Sequence, residues 1–364
     1  MSECSLKPAN RGGVKKEMMY VGVDVGKSKC RAAMMSSEGR IVKELNFSND
    51  KAGISHLASM LTMDDRVVME STGPYWLDLY NQLDDLHIPV VLANPLKTKA
   101  IASARIKSDK VDARILAHLL RTDLIPECYV PPKEMREIRS LVRHRMSIVK
   151  LRTMVKNKVH ALVDRNGLKH EFSDLFGKGG LEWLKSLELS GLDRLMLDNY
   201  LMHLENLNLQ IEKVDCEITS RASVDGDVRL LLSLKGVNVY SALLIKSEIG
   251  SIERFPNYKR LVSWAGLAPS LHQSGSVEYH GNITKQGSSM LRWIMVESAR
   301  VASVFDPRLK AFYERVKARR GDQKAVVAVA NKMLKIIWFM LTRKEMYESV
   351  DGKRYAKKLN SLDS

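Results

Sequence analysis

Four carboxylates of the kind used in phosphoryl transfer stand out: Asp24 inside the apolar run Tyr20–Val25 (YVGVDV), Glu70 at the end of RVVME, and Asp109 and Asp112 in KSDKVDAR. β-branched and aromatic residues suit a pleated, buried strand, and a lone aspartate within one is costly to bury without a partner. A divalent metal is one such partner; a hydrogen-bond network is another. Asp109 and Asp112 lie three apart, on one face of a helix, where like charges repel unless a cation sits between them. The plainer reading of that pair is helix-dipole acids with Lys110 and Arg114 as counter-charges and Ser108 as the cap. Taken together, four carboxylates form an oxygen-only donor set suited to Mg²⁺ or Mn²⁺. Two such ions about 3.5–4 Å apart stabilise the attacking and leaving oxygens of a displacement at phosphorus.

These acids need a scaffold. Residues 1–17 form a polar, basic arm without periodicity. Tyr20–Val25, Cys30–Met35 and Ile41–Phe47 read as strands, with Gly26 and Glu38-Gly39 as turns. Asp50–Met63 reads as a helix, Arg66–Glu70 as a strand, Tyr75–Leu86 as a helix and Ile88–Ala93 as a short buried strand; the stretch after Lys107 opens another helix through ILAHLL. A three-strand meander followed by strand–helix alternation predicts a mixed α/β sheet covered by helices over residues 18–130. Carboxylates at the strand ends of such a sheet can converge on one edge.

The 364 residues carry a net charge of +16, which points to a polyanionic partner, with nucleic acid the natural candidate. Cys4, Cys30, Cys128 and Cys216 are far apart and form no CxxC pair, so neither a zinc site nor a disulfide framework is indicated and a reducing, cytoplasmic setting is expected. The N-terminal segment lacks the apolar core of a secretion signal. Ala325–Leu341 is apolar but interrupted by Asn331, Lys332 and Lys335, which predicts a buried helix rather than a membrane span.

Pro126, Pro131 and Pro132 mark a boundary. Beyond it, residues 131–225 hold two long periodic helices, Glu134–Asn166 and Leu192–Ala222, expected to pair as an antiparallel hairpin or coiled coil and to be a surface for dimerisation. The first is rich in Arg136, Arg139, Arg143, Arg145, Lys150, Arg152, Lys156 and Lys158, with few acids, so one face is expected to pack and the other to meet phosphates. Residues 226–345 form a mostly α-helical last domain. Within it Leu230–Gly250 looks like a helix–hairpin–helix, whose Lys235-Gly236-Val237-Asn238 turn is either a phosphate cradle or a packing corner. A β-ribbon follows His272-Gln273-Ser274-Gly275, then a helix from Ser288 carrying Arg292; residues 346–364 are a tail, of which Gly352–Ser364 reads as frayed.

GVDVGK with Asp24, VVMESTGPYW with Glu70, and KSDKVDARILA with Asp109 and Asp112 resemble the DEDD motif of IS110/IS1111-family transposases, which are related to the pilin-gene invertases. GLAPSLHQSGSVEYHGNITKQGSSMLRWIMVESA is similar to that family's C-terminal transposase domain, so the resemblance spans about residues 18–345. It implies a RuvC-like (RNase H-like) first domain and an RNA-guided, serine-dependent DNA recombinase working as an oligomer, in which a structured bridge RNA pairs with donor and target DNA. It also implies that Asp24, Glu70, Asp109 and Asp112 are catalytic and metal-binding, and that the nucleophile is Ser274 of an SG motif. A serine hydroxyl is a poor nucleophile until deprotonated or metal-bound, and Gly275 would let a phosphate approach closely. Lys285 and Arg292 are candidates to hold that phosphate. Ser270, Ser276, Ser288 and Ser289 are rival nucleophiles, His272 and His280 candidate bases, and spacing alone favours reading Ser274-Gly275 as a turn.

Three other readings compete: a RuvC-like nuclease using water, a non-catalytic nucleic-acid-binding protein, and an actin/hexokinase-like ATPase. The last needs a second phosphate loop and a Gly-rich adenosine site, neither of which is found downstream.

Overall fold

The computed structural model describes residues 17–71, 73–102, 109–274, 277–348 and 351–363. The chain divides into two compact units, Met1–Val130 and Pro131–Ser364. The basic arm, the Ser108 cap and Gly275 lie outside the described residues.

The first unit runs β1 (Tyr20–Val25), β2 (Lys29–Met35), β3 (Ile41–Ser48), α1 (Lys51–Ala58), β4 (Arg66–Glu70), α2 (Trp76–Asp85), β5 (Val90–Ala93), α3 (Pro95–Ile101) and α4 (Asp109–Arg121). Its mixed sheet has the order β3-β2-β1-β4-β5, antiparallel within the meander and parallel from β1 through β4 to β5. That arrangement is consistent with an RNase H-like domain. The period of two along each strand sorts the side chains. Val21, Val23, Val25, Val67, Met69 and Leu92 join Ile54, Leu57, Leu79 and Leu83 of α1 and α2 in one core. Tyr20, Val68, Val91 and Ala93 join Leu116 and Leu120 of α4 on the other face. Asp65 is a buried acid with a purely structural job: it accepts hydrogen bonds from the backbone of Met19 (2.8 Å) and Thr62 (2.7 Å), tying the loop before β4 to the start of β1.

The second unit is mostly helical: α5 (Lys133–Arg165), α6 (Lys178–Ser186), α7 (Gly191–Ser223), α8 (Gly226–Leu232), α9 (Val239–Ile249), α10 (Tyr258–Trp264), the ribbon β6 (Pro269–Ser274) and β7 (Val277–Ile283), then α11 (Ser289–Phe305), α12 (Pro307–Arg320), α13 (Asp322–Arg343) and α14 (Gly352–Asp363). The contacts Arg145–Asp215, Arg152–Asn208 and Arg165–Asp193 run in opposite order along α5 and α7, so the two long helices are antiparallel. On α7 the buried residues Leu197, Leu204, Ile211 and Ile218 recur every seventh position, the step that keeps one seam against a partner helix. Helix α13 is long and apolar enough to cross a membrane by composition, but Ala325, Val329, Met333 and Ile337 are buried in the core of this unit.

One open alternative is decided here and one expectation changes. The turn at Gly236 (φ +87°) is a packing corner: a Cβ there would meet the Ser298 carbonyl of α11 at 2.3 Å, while Asn238 caps α9 through Ser241. The tail is not frayed. It forms α14, with Leu362 buried, and Lys358 Nζ donates to the carbonyls of Leu232 (2.7 Å) and Leu234 (3.3 Å). Burial pushes the Lys358 pKa down to about 8, and Arg354 adds to the effect. Above that value and below the ordinary lysine range, the unfolded chain binds a proton that the folded chain lacks, so stability rises with pH across the window. Wild type should therefore gain in unfolding midpoint relative to Lys358→Met as pH climbs from about 8 towards 10. A constant difference between the two would show that Lys358 is solvated as an ordinary surface lysine.

Candidate active site

β1 and β4 are parallel, with Val23 beside Met69 as the last pair, so Asp24 and Glu70 each follow it by one residue at the carboxyl ends of neighbouring strands. Both alternate with residues of the α1/α2 core and therefore lie on the face that α4 covers. What lets α4 lie there is Gly22: a Cβ on it would sit 2.1 Å from the Ala113 carbonyl oxygen and 2.4 Å from the Ala117 nitrogen. The direction of α4 follows from its far end. Arg121 donates to the Ser37 carbonyl (3.3 Å) in the β2–β3 turn, at the edge where β1 begins and Tyr20 pairs Met35. The helix therefore runs antiparallel to β1, and its first turn, with Asp109 and Asp112, falls at the end of β1 where Asp24 stands. Asp24, Glu70 and Asp112 are half-buried and Asp109 is exposed.

Cations line the same face. Arg31 stands directly opposite Asp24 across β1 and β2. Glu44 of β3 takes Arg114 at 2.7 Å and Arg31 at 3.5 Å. Arg114, expected as a counter-charge for Asp109 and Asp112, is thus committed to Glu44, which the sequence reading passed over. Beneath the site, burial pushes the Cys30 thiol up to about 11, with the Asp24 charge adding to the rise against a lowering bond from the Gly26 backbone, which makes Cys30 inert. Among the described residues no three Asp, Glu, His or Cys side chains stand close enough to share one ion. The donor chemistry suits a hard divalent cation; the spacing in this conformation does not close on one.

In the second unit, Ser274 is the last residue of β6 and pairs with Val277 of β7. Its neighbours Gly275 and Ser276 fall outside the described residues. Among the rival serines, Ser288 is occupied as the cap of α11, its Oγ accepting from Leu291 N at 3.1 Å. Arg292 donates to the carbonyls of Gln286 (2.7 Å), Gly287 (3.1 Å) and Ala265 (3.2 Å), so it locks a loop rather than standing open to a phosphate. The basic face of α5 is similarly divided. Arg139 donates to the Ser247 carbonyl, Arg143 forks onto buried Glu248, Arg145 pairs with Asp215 and stacks over Tyr240, and Arg136 reaches the Pro131 carbonyl. Arg152 bonds Asn208 and Lys156 lies over Phe176, while Lys150 and Lys158 are exposed along a groove on α5. Much of the arginine that gives α5 the look of a phosphate face in sequence holds it to α7 and α9.

A transposase family model of the DEDD, IS110 type matches residues 21–166, and a second, described as the IS116/IS110/IS902 transposase family, matches residues 228–314. The chain belongs to the IS110/IS1111 family of transposases. It is 28% identical over 345 residues to the transposase of insertion sequence element IS1111A from Coxiella burnetii, covering 91% of this chain and 92% of the relative. It is 25% identical over 350 residues to the pilin gene-inverting protein of Moraxella bovis, covering 90% and 97%. Membership implies DNA-processing activity, and the DEDD type suggests dependence on divalent metal. The acids that would carry the DEDD motif are the four that the sheet and α4 bring to one end of the first unit.

Proposed function

We propose that this chain is an RNA-guided DNA recombinase of an insertion sequence, which breaks and rejoins DNA through Ser274 with Asp24, Glu70, Asp109 and Asp112 as its acidic residues. The observation that carries the reading is the arrival of those four carboxylates at one end of one sheet face, on β1, β4 and α4, in a member of a DEDD transposase family. The Ser274 hydroxyl attacks a DNA phosphate. An O–P bond to serine forms as the bond to a deoxyribose oxygen breaks, and the departing oxygen takes up a proton equivalent to the one serine loses. A free deoxyribose hydroxyl from a second strand then reverses the exchange, so the number of phosphodiester-type bonds is conserved and no high-energy cofactor is consumed. Mg²⁺ or Mn²⁺ is the expected cation because the acids offer only oxygen donors. A structured guide RNA, donor and target DNA, and further copies of the chain are the partners; the +16 charge supports polyanions as a class, and the guide RNA rests on the family resemblance.

The test is full-length protein incubated with its co-purifying RNA, donor DNA and target DNA, and resolved under denaturing conditions. A protein–DNA adduct that vanishes with EDTA and returns with Mg²⁺ is the expected result. Metal-dependent cleavage without any adduct would instead identify a hydrolytic nuclease, and binding with no cleavage in any divalent metal a non-catalytic nucleic-acid-binding protein.

A further inference from the structure

We propose that the cleft between the β6–β7 ribbon and helices α12 and α13 seats a DNA phosphate backbone, gripped by Lys285, Arg319, Arg320 and Lys324. The choice of DNA over other polyanions rests on the recombinase reading; the cleft itself does not. It has a volume of about 1300 Å³, and its lining carries those four cations and no Asp or Glu among the described residues. All four are exposed, and none is paired with an acid among the described residues. Arg319 spends one donor, its Nε, on the Arg315 carbonyl at 3.3 Å. Two other basic groups of α12 are used elsewhere: Arg308 pairs with Glu348, and Lys317 lies over the Tyr313 ring. The four cations facing the cleft have no internal counter-charge among the described residues, which is the pattern counterion release rewards.

A second observation concerns Lys285. Its backbone is left-handed (φ +54°), a conformation uncommon for a lysine and strained for a side chain of its size. The loop is held there by Thr284 N to the Ala268 carbonyl (3.0 Å), Lys285 N to the Gly266 carbonyl (3.1 Å) and the Arg292 guanidinium. A fixed loop thereby sets a cation at the rim of the cleft. Ser270, also in the lining, precedes Ser274 on the same strand by about 13 Å at ~3.3 Å per residue. That is roughly four nucleotides of DNA rise at ~3.4 Å each, so a backbone seated in the cleft reaches the serine by following the ribbon.

The experiment titrates a fluorescein-labelled DNA duplex of random sequence into the full-length protein by fluorescence anisotropy over a range of NaCl concentrations. Combined Arg319→Ala, Arg320→Ala and Lys324→Ala substitutions should weaken binding about tenfold or more, and flatten the log–log salt slope by about two to three. Lys285→Gly should weaken binding by about threefold without lowering the melting temperature, because glycine accepts φ +54° more readily than lysine. Unchanged affinity and slope in the triple variant would overturn the proposal, as would a loss confined to a labelled RNA hairpin run in parallel. The readout needs no catalysis. An unchanged slope in a chain that still recombines refutes the cleft alone, and a flattened slope in a chain that never recombines refutes the recombinase reading alone.

Discussion

Ser274→Ala should abolish strand exchange, by at least about three orders of magnitude, and should leave no DNA covalently attached to the protein. The substitution removes one oxygen from the last residue of β6, and the backbone pairing with Val277 needs no side chain, so the fold is expected to survive intact. Ser288→Ala supplies the contrast. That hydroxyl caps α11, and its loss should cost about 1 kcal/mol of stability while the covalent adduct persists. Denaturing gels with labelled DNA and a thermal melt of each variant separate the two outcomes. Undiminished exchange by the Ser274→Ala protein would take serine out of the chemistry and leave the acidic site to act with water.

Gly22→Ala should disrupt the first unit by about 3 kcal/mol or more, the upper end of what overpacking costs. The added methyl would meet backbone atoms of α4, at 2.1 Å and 2.4 Å, which cannot rotate out of the way as a side chain can. Helix α4 would have to lift, taking Asp109 and Asp112 away from Asp24, so metal-dependent cleavage should fall with stability. Gly191→Ala is the matched control: it begins α7 with nothing within 4 Å of its added Cβ, and should be neutral or slightly stabilising. Chemical denaturation of both variants reads the difference. A Gly22→Ala protein with an unchanged midpoint would show that α4 is not pressed onto β1 as described.

Much of this was legible from local chemistry. Short β-branched and apolar runs bounded by turn residues marked β1 to β5, even though β3 is largely exposed, and the strand Arg66–Glu70 was placed to the residue. Periodicity near 3.6 marked both long helices within a residue or two of their ends. Short amphipathic or polar helices were missed. Pro95–Ile101 and Pro307–Arg320 do carry local start signals, the caps Asn94 and Asp306 each followed by proline, but little apolar periodicity; Gly352–Asp363 rests on partners distant in sequence, such as Leu232, whose carbonyl Lys358 meets across the second unit. Charge was legible only in part. Arg143 and Arg145 look like solvent-facing cations in sequence, because Glu248 and Asp215, which hold them, lie 105 and 70 residues away.

Residue type and order alone determined that this chain offers four carboxylates on strand ends and a helix start, a serine beside a glycine in the last domain, and an excess of positive charge; these are properties of covalent structure and short-range periodicity. Tertiary structure decided which of them meet. Parallel register set Asp24 beside Glu70, a glycine without a Cβ let α4 bring Asp109 and Asp112 to the same end, and ion pairs formed on folding determined which arginines serve the core and which remain for a polyanion. The physical reason is that convergence depends on strand pairing and close backbone approach between segments tens of residues apart, and no local pattern encodes that distance.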